Sequence, residues 1–257
     1  MKDVRVTHIG GPTTLIEVGG WRILTDPTFD PPGRRYSFGW GTSSRKQTGP
    51  ALEPADIGPV DVVLLSHDHH ADNLDDRGRA LLAETPLVVT TAAGARRVGG
   101  RGLTDWESTV LSGPDRDDIR VTATPCRHGP ALSRPIVGQV IGFALAWDSQ
   151  EHGVFWITGD TVLYPGVREV PHRLTVDTVL LHLGAVTFPI TGRLHYSLTA
   201  TDAVELCRLV APRTIIPVHY EGWSHFSQGR DVVERAFASA PDGLGERLHW
   251  LPLQSTY

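Results

Sequence analysis

The chain has 257 residues, of which 40% are apolar and 21% charged, with a formal net charge of −5. Those values suit one large α/β domain with a substantial core, and the mild acidity excludes the basic footprint of a nucleic-acid binder. No apolar run approaches the ~20 residues of a membrane span, and no apolar stretch of a signal peptide follows residues 1–5. The two cysteines, Cys126 and Cys207, read as unpaired thiols of a cytoplasmic protein rather than as a disulfide framework.

In chain order, residues 4–26 read as two or three strands. Thr14-Leu15-Ile16-Glu17-Val18 meets the turn Gly19-Gly20, and Trp21-Arg22-Ile23-Leu24-Thr25 follows. Residues 27–59 are rich in Pro and Gly and read as a long irregular excursion of the kind that is often functional. It carries Arg34, Arg35, Tyr36, Phe38, Trp40, Arg45 and Lys46, either as a surface loop held by its aromatics or as a cover for substrate. Residues 60–65 form a continuous apolar run that suits a buried strand. A helix is expected over 75–84, with Leu81 and Leu82 inward, and strands over 87–91, 120–124, 139–147, 154–158 and 178–183.

A second helix is expected over 197–211. Ser197 or Thr199 caps it, Ala200, Ala203, Val204, Cys207 and Val210 keep helical spacing, and Pro212 stops it. A short buried strand follows at 214–218, then a helix over 231–240 opened by Asp231-x-x-Glu234 as a capping box. No linker divides the chain, so residues 1–257 are expected to form a single α/β domain of four layers, αββα.

The chemistry sits just past the apolar strands. Residues 60–65 end in Ser66-His67-Asp68-His69-His70-Ala71-Asp72-Asn73, residues 121–124 in Pro125-Cys126-Arg127-His128, residues 154–158 in Gly159-Asp160-Thr161, and residues 215–218 in His219. The carboxyl edge of strands is where α/β proteins assemble sites. Imidazole nitrogens and carboxylate oxygens suit borderline divalent ions such as zinc or manganese, and a burial of so many polar groups without compensation is costly. A pair of metals can activate a water, so hydrolysis needs no Ser or Cys nucleophile, and no Gly-x-Ser-x-Gly elbow is present.

Residues 66–75 resemble the His-x-His-x-Asp-His motif of the metallo-β-lactamase superfamily. Thr14-Leu15 with Ile23-Leu24-Thr25-Asp26-Pro27 is similar to the opening of the branch that includes ascorbate-6-phosphate lactonase and N-acyl phosphatidylethanolamine phospholipase D. Thr124-Pro125-Cys126-Arg127-His128, Gly159-Asp160-Thr161 and Ile216-Pro217-Val218-His219-Tyr220 resemble its later metal segments, in the same order along nearly the whole chain. The resemblance implies a metallo-β-lactamase-like sandwich with two metals per chain, Zn2+ or Mn2+. It assigns His67, His69 and His128 to the first metal, and Asp72, Asp160 and His219 to the second, with Asp160 shared and Asp72 also orienting the attacking water.

The motif departs from the family twice. One residue is inserted between His67 and Asp72, so either His69 or His70 supplies the second ligand. Asn73 stands where the family has a His. His195, ahead of the helix at 197–211, is expected to touch substrate or act as a general acid, and His225 to line the pocket; His8 and His182 are weaker candidates. Arg34, Arg35, Lys46 and Arg193 offer positive charge for an anionic substrate. The expected activity is hydrolysis of a small-molecule phosphodiester or lactone/ester. The competing reading, suggested by Asn73, is a metal-binding sensor or scaffold without hydrolytic activity.

Overall fold

Alternating side chains decide which layer each strand serves. The computed structural model describes residues 4–131, 133 and 137–252. The first half contains β1 (Arg5–Gly10), β2 (Thr13–Val18), β3 (Trp21–Thr25), β4 (Arg35–Gly39), β5 (Thr42–Arg45), α1 (Pro54–Ile57), β6 (Val62–Leu64), α2 (Asp76–Leu82), β7 (Leu87–Thr91), α3 (Ala92–Val98) and β8 (Arg101–Leu103). The second contains β9 (Ser108–Leu111), β10 (Ile119–Pro125), β11 (Ile141–Ala146), β12 (Val154–Ile157), α4 (Pro165–Arg168), α5 (Val170–Arg173), β13 (Val176–His182), α6 (Ala200–Val210), β14 (Thr214–Val218) and α7 (Arg230–Ala238).

Two six-stranded sheets result, ordered β1-β2-β3-β6-β7-β8 and β14-β13-β12-β11-β10-β9. Val62 and Leu64 of β6 meet Val121, Phe143, Ile157, Leu180 and Ile216 of the other sheet in the central core. Val63 and Leu65 point the opposite way, to Ile57, Leu82 and the partly buried Val98 of the first helical layer. Leu180 likewise faces the centre, while Val179 and Leu181 meet Ala203, Leu206, Val233 and Phe237 of α6 and α7. This is the expected αββα order. Each such fully buried side chain contributes about 1.5–3 kcal/mol relative to exposure.

Several expected elements are trimmed. The strand at 60–65 pairs only over Val62–Leu64, because residues beyond it turn to carry the histidines. Thr199, not Ser197, caps α6, within a capping box closed by Asp202. Ser197 instead donates to Leu183 O at 2.7 Å and accepts from Val186 N at 3.0 Å. The capping box expected at Asp231 and Glu234 does not form. The helix starts one residue earlier after Gly229, and those acids pair along its surface with Arg235 and Arg230.

The excursion at 27–59 is more ordered than its composition suggested. It contains the β4–β5 hairpin, whose Tyr36 and Phe38 pack with Val186, Phe188 and Trp223. Lys46 anchors it: its Nζ donates to Asp75 Oδ2 at 2.8 Å, with both side chains almost fully buried. Asp75 also accepts from Phe29 N, Asp30 N and Gly78 N, and thereby caps α2.

Candidate metal centre

Strand direction gathers the ligands. β3, β6, β7 and β8 are mutually parallel, as are β12, β13 and β14. β10 is antiparallel to β11, which is antiparallel to β12, so β10 and β12 point the same way. Residues just beyond β6, β10, β12 and β14 therefore emerge at one shared edge, and His67, His70, Asp72, His128, Asp160 and His219 are all buried there.

They form two groups, His67–His70–His128 and Asp72–Asp160–His219, each with donor atoms close enough to share an ion. In the first, His67 Nε2 lies 3.3 Å from His70 Nδ1, which lies 3.1 Å from His128 Nε2. Nitrogens bound to one zinc at ~2.0–2.1 Å with tetrahedral angles sit about 3.3–3.4 Å apart, so the spacing fits. Burial, with His128 nearby, brings His70 down to about 3, and burial with His70 and His128 holds His67 well below its ordinary value. Both are thus neutral, as ligation requires. The far ring atoms are oriented: His67 Nδ1 meets Ser66 Oγ at 2.9 Å, and His128 Nδ1 meets the Tyr196 carbonyl.

In the second group, His219 Nδ1 lies 3.0 Å from Asp160 Oδ1 and its Nε2 lies 3.6 Å from Asp72 Oδ2. Burial opposes the charge on all three. The mutual attraction wins, raising His219 to about 10 and holding Asp72 and Asp160 below the usual carboxylate range; an ion bound between the acids and His219 would take the place of that proton. His219 adopts φ +56°, a left-handed conformation unusual for a non-glycine residue. Its N–H donates to Gly11 O at 2.9 Å, which His8 Nε2 also contacts at 3.0 Å. His8 and the His219 backbone thus meet at one carbonyl.

The residues fit divalent metals on a second count. Asp160 Oδ1 and both ring nitrogens of His219 and His225 are buried with no hydrogen-bond partner among the described residues. Such atoms are rare unless an ion or water satisfies them.

Of His69 and His70, it is His70 whose ring joins the group with His67 and His128. Asp68, itself buried, pairs with Arg97 away from the metal groups, with Nε to Oδ2 at 2.6 Å and Nη2 to Oδ1 at 2.5 Å. His69 follows it, its side chain 29% exposed and its Nε2 3.2 Å from Arg97 Nη2. Asn73 lies among the acids. With its amide nitrogen turned towards them, it donates to Asp72 Oδ1 at 3.2 Å and Asp160 Oδ2 at 3.1 Å.

His225 is buried with its Nε2 3.1 Å from Asp72 Oδ2. His195 is only partly buried, and its neighbour Tyr196 lines the cavity over the metal groups instead. That cavity, about 70 Å³, is lined by Phe38, Trp40, His70, Asp72, Phe188 and Tyr196 among others. None of the expected anion-receiving cations lines it. Lys46 is spent on Asp75, Arg34 on Asp76, and Arg35 contacts Ser43.

Sequence reading also passed over Asp26, although the Thr25-Asp26-Pro27 motif contained it. Asp26 Oδ1 accepts from Ser66 N at 2.7 Å, and its Oδ2 lies 3.6 Å from His182 Nε2. It thus sets the residue that orients His67. Tyr196 gave no signal, because it acts through a backbone carbonyl.

A four-layer αββα fold with His and Asp groups at the shared sheet edge defines the metallo-β-lactamase class. More particularly, residues 21–220 match the beta-lactamase superfamily domain family, and the chain belongs to it. A metal-dependent hydrolase of Pelotomaculum thermopropionicum is 25% identical over 232 residues, covering 88% of each chain. Among solved structures, the isothiocyanate hydrolase from Delia radicum gut bacteria superposes with a TM-score of 0.79 at 19% identity, covering 98% of each chain. A metallo hydrolase of Ignicoccus hospitalis superposes at 0.70 and 18% identity, covering 99% of this chain and 97% of that one. Among the described residues no helix is long and apolar enough to cross a membrane.

Proposed function

We propose that the protein is a two-metal hydrolase acting on a small, neutral ester or lactone. The observation that carries the reading is the pair of buried donor groups at one sheet edge, His67–His70–His128 and Asp72–Asp160–His219. The names of the relatives agree with a hydrolase. Divalent ions held there, zinc or manganese by donor type, would lower the pKa of a water and polarise the scissile carbonyl.

The chain's own residues supply placement. Asp72, buried and held ionised beside His219, can accept a hydrogen bond from the attacking water. Phe38, Trp40, Val186 and Phe188 receive the apolar part of the substrate and exclude bulk water. The lack of a cation among the described residues lining this cavity favours an ester or lactone over a phosphodiester, whose negative charge is best met by Arg or Lys. Among the described residues lining the larger adjoining cavity of about 780 Å³, the cation is Arg127, whose guanidinium also stacks on Tyr164. Tyr196, the neighbour of His195, lines this cavity.

The test is turnover by protein loaded with zinc or manganese. Aryl esters and simple lactones should be cleaved with kcat/KM at least ten times that for bis(p-nitrophenyl) phosphate. The opposite preference would overturn the neutral-substrate reading. Two bound metals with no turnover of any of these would favour the sensor or scaffold that Asn73 suggests.

A further inference from the structure

We infer that His225 is a metal ligand of the second group, supplied by the loop after β14. This rests on the two-metal reading above. The His225 side chain is 1% exposed. Its ring lies among Phe38, Phe188, Trp223 and Phe226, with centroids 4.7–5.9 Å away. Those four rings offer its nitrogens no strong acceptor, and an unpaired imidazole in such a box is unfavourable.

The polar atom it does approach is Asp72 Oδ2, at 3.1 Å from Nε2. Both ring nitrogens are without a hydrogen-bond partner among the described residues. His219 Nδ1 and Asp160 Oδ1 show the same pattern at 3.0 Å. Donor atoms 3.0–3.1 Å apart that share no hydrogen bond have about the spacing of neighbouring ligands on one ion. Asn73, with its amide nitrogen turned towards Asp72 and Asp160, is a donor to the acids.

The loop is built to hold the ring. Gly222, at φ +92°, turns the chain out of β14, Trp223 bridges to Lys46, and the His225 carbonyl accepts from Thr187 N at 3.1 Å. His225 thus has a fixed place at Asp72 independent of the His67–Asp72 turn.

The test compares zinc content, and zinc affinity against a competing chelator, in the wild type, His225→Phe and Asn73→Ala. The cobalt-substituted absorption spectrum of each is recorded as well. His225→Phe fills the aromatic box but offers no donor. It should keep one ion at wild-type affinity, bind the second at least tenfold more weakly, and lose part of the cobalt spectrum. Asn73→Ala should retain both ions. Should His225→Phe fail to fold, His225→Leu carries the same expectation. Two ions at unchanged affinity with an unchanged cobalt spectrum would overturn the assignment. A wild type holding fewer than two ions would instead overturn the two-metal reading beneath it.

Discussion

At the residue scale, the site divides into ligands and the atoms that aim them. His70 and His69 are adjacent, but only His70 faces His67 and His128, so the two alanine variants should behave differently. His70→Ala should lose the first-group ion and its activity, whereas His69→Ala should keep both ions; metal content per chain reads this directly. Ser66 touches no metal position, yet its hydroxyl meets His67 Nδ1. Ser66→Ala should lower affinity at the first group by about 10–100-fold, as loss of outer hydrogen bonds to ligating histidines does elsewhere. A chelator titration with Asp160 and His219 intact would measure it.

At the element scale, the β4–β5 hairpin is the cover of the cavity, and Lys46 ties it down. Breaking a buried ion pair by removing one partner leaves the other charge uncompensated, which costs about 3–5 kcal/mol. Lys46→Met should therefore lower unfolding free energy by roughly that amount, because Asp75 keeps only its backbone donors. Denaturant unfolding of the metal-loaded protein would show it. At the hairpin's tip, Trp40 is 76% exposed although it also lines the cavity. Trp40→Ala should raise KM for apolar esters with little change in kcat, the signature of lost uniform binding. A fall in kcat with KM unchanged would place Trp40 in the reacting geometry instead.

At the scale of the whole molecule, metal binding and folding are linked. The candidate ligands come from both sheets: His67, His70 and Asp72 follow β6 of the first, while His128, Asp160 and His219 follow β10, β12 and β14 of the second. Ions that bind only the folded chain stabilise it by about 2.7 kcal/mol per site at a hundred times Kd. For a chain of this length, that raises Tm by about 5–11 °C per site. Thermal unfolding with and without chelator should differ by at least that much. An unchanged Tm would mean that the two groups do not hold ions tightly.

Much of this protein is written locally. The apolar runs and turns place the strands, the helical spacing of Ala203 and Cys207 places α6 on the second sheet, and the His and Asp residues just past four strands announce a metal site. These signals are legible because each depends on a few neighbouring residues and on the period of a strand or helix. What only the tertiary structure decided depends on atoms distant in sequence. Arg97, 29 residues on, pairs with Asp68 and contacts His69, and leaves His70 to face His67 and His128. Lys46 reads as a free cation until Asp75 is found beneath it. Tyr196 orients His128 through a carbonyl that every residue type shares. His225 belongs to the centre because the fold brings it to Asp72, and proximity across the chain is a property of packing, which the local pattern of residues does not encode.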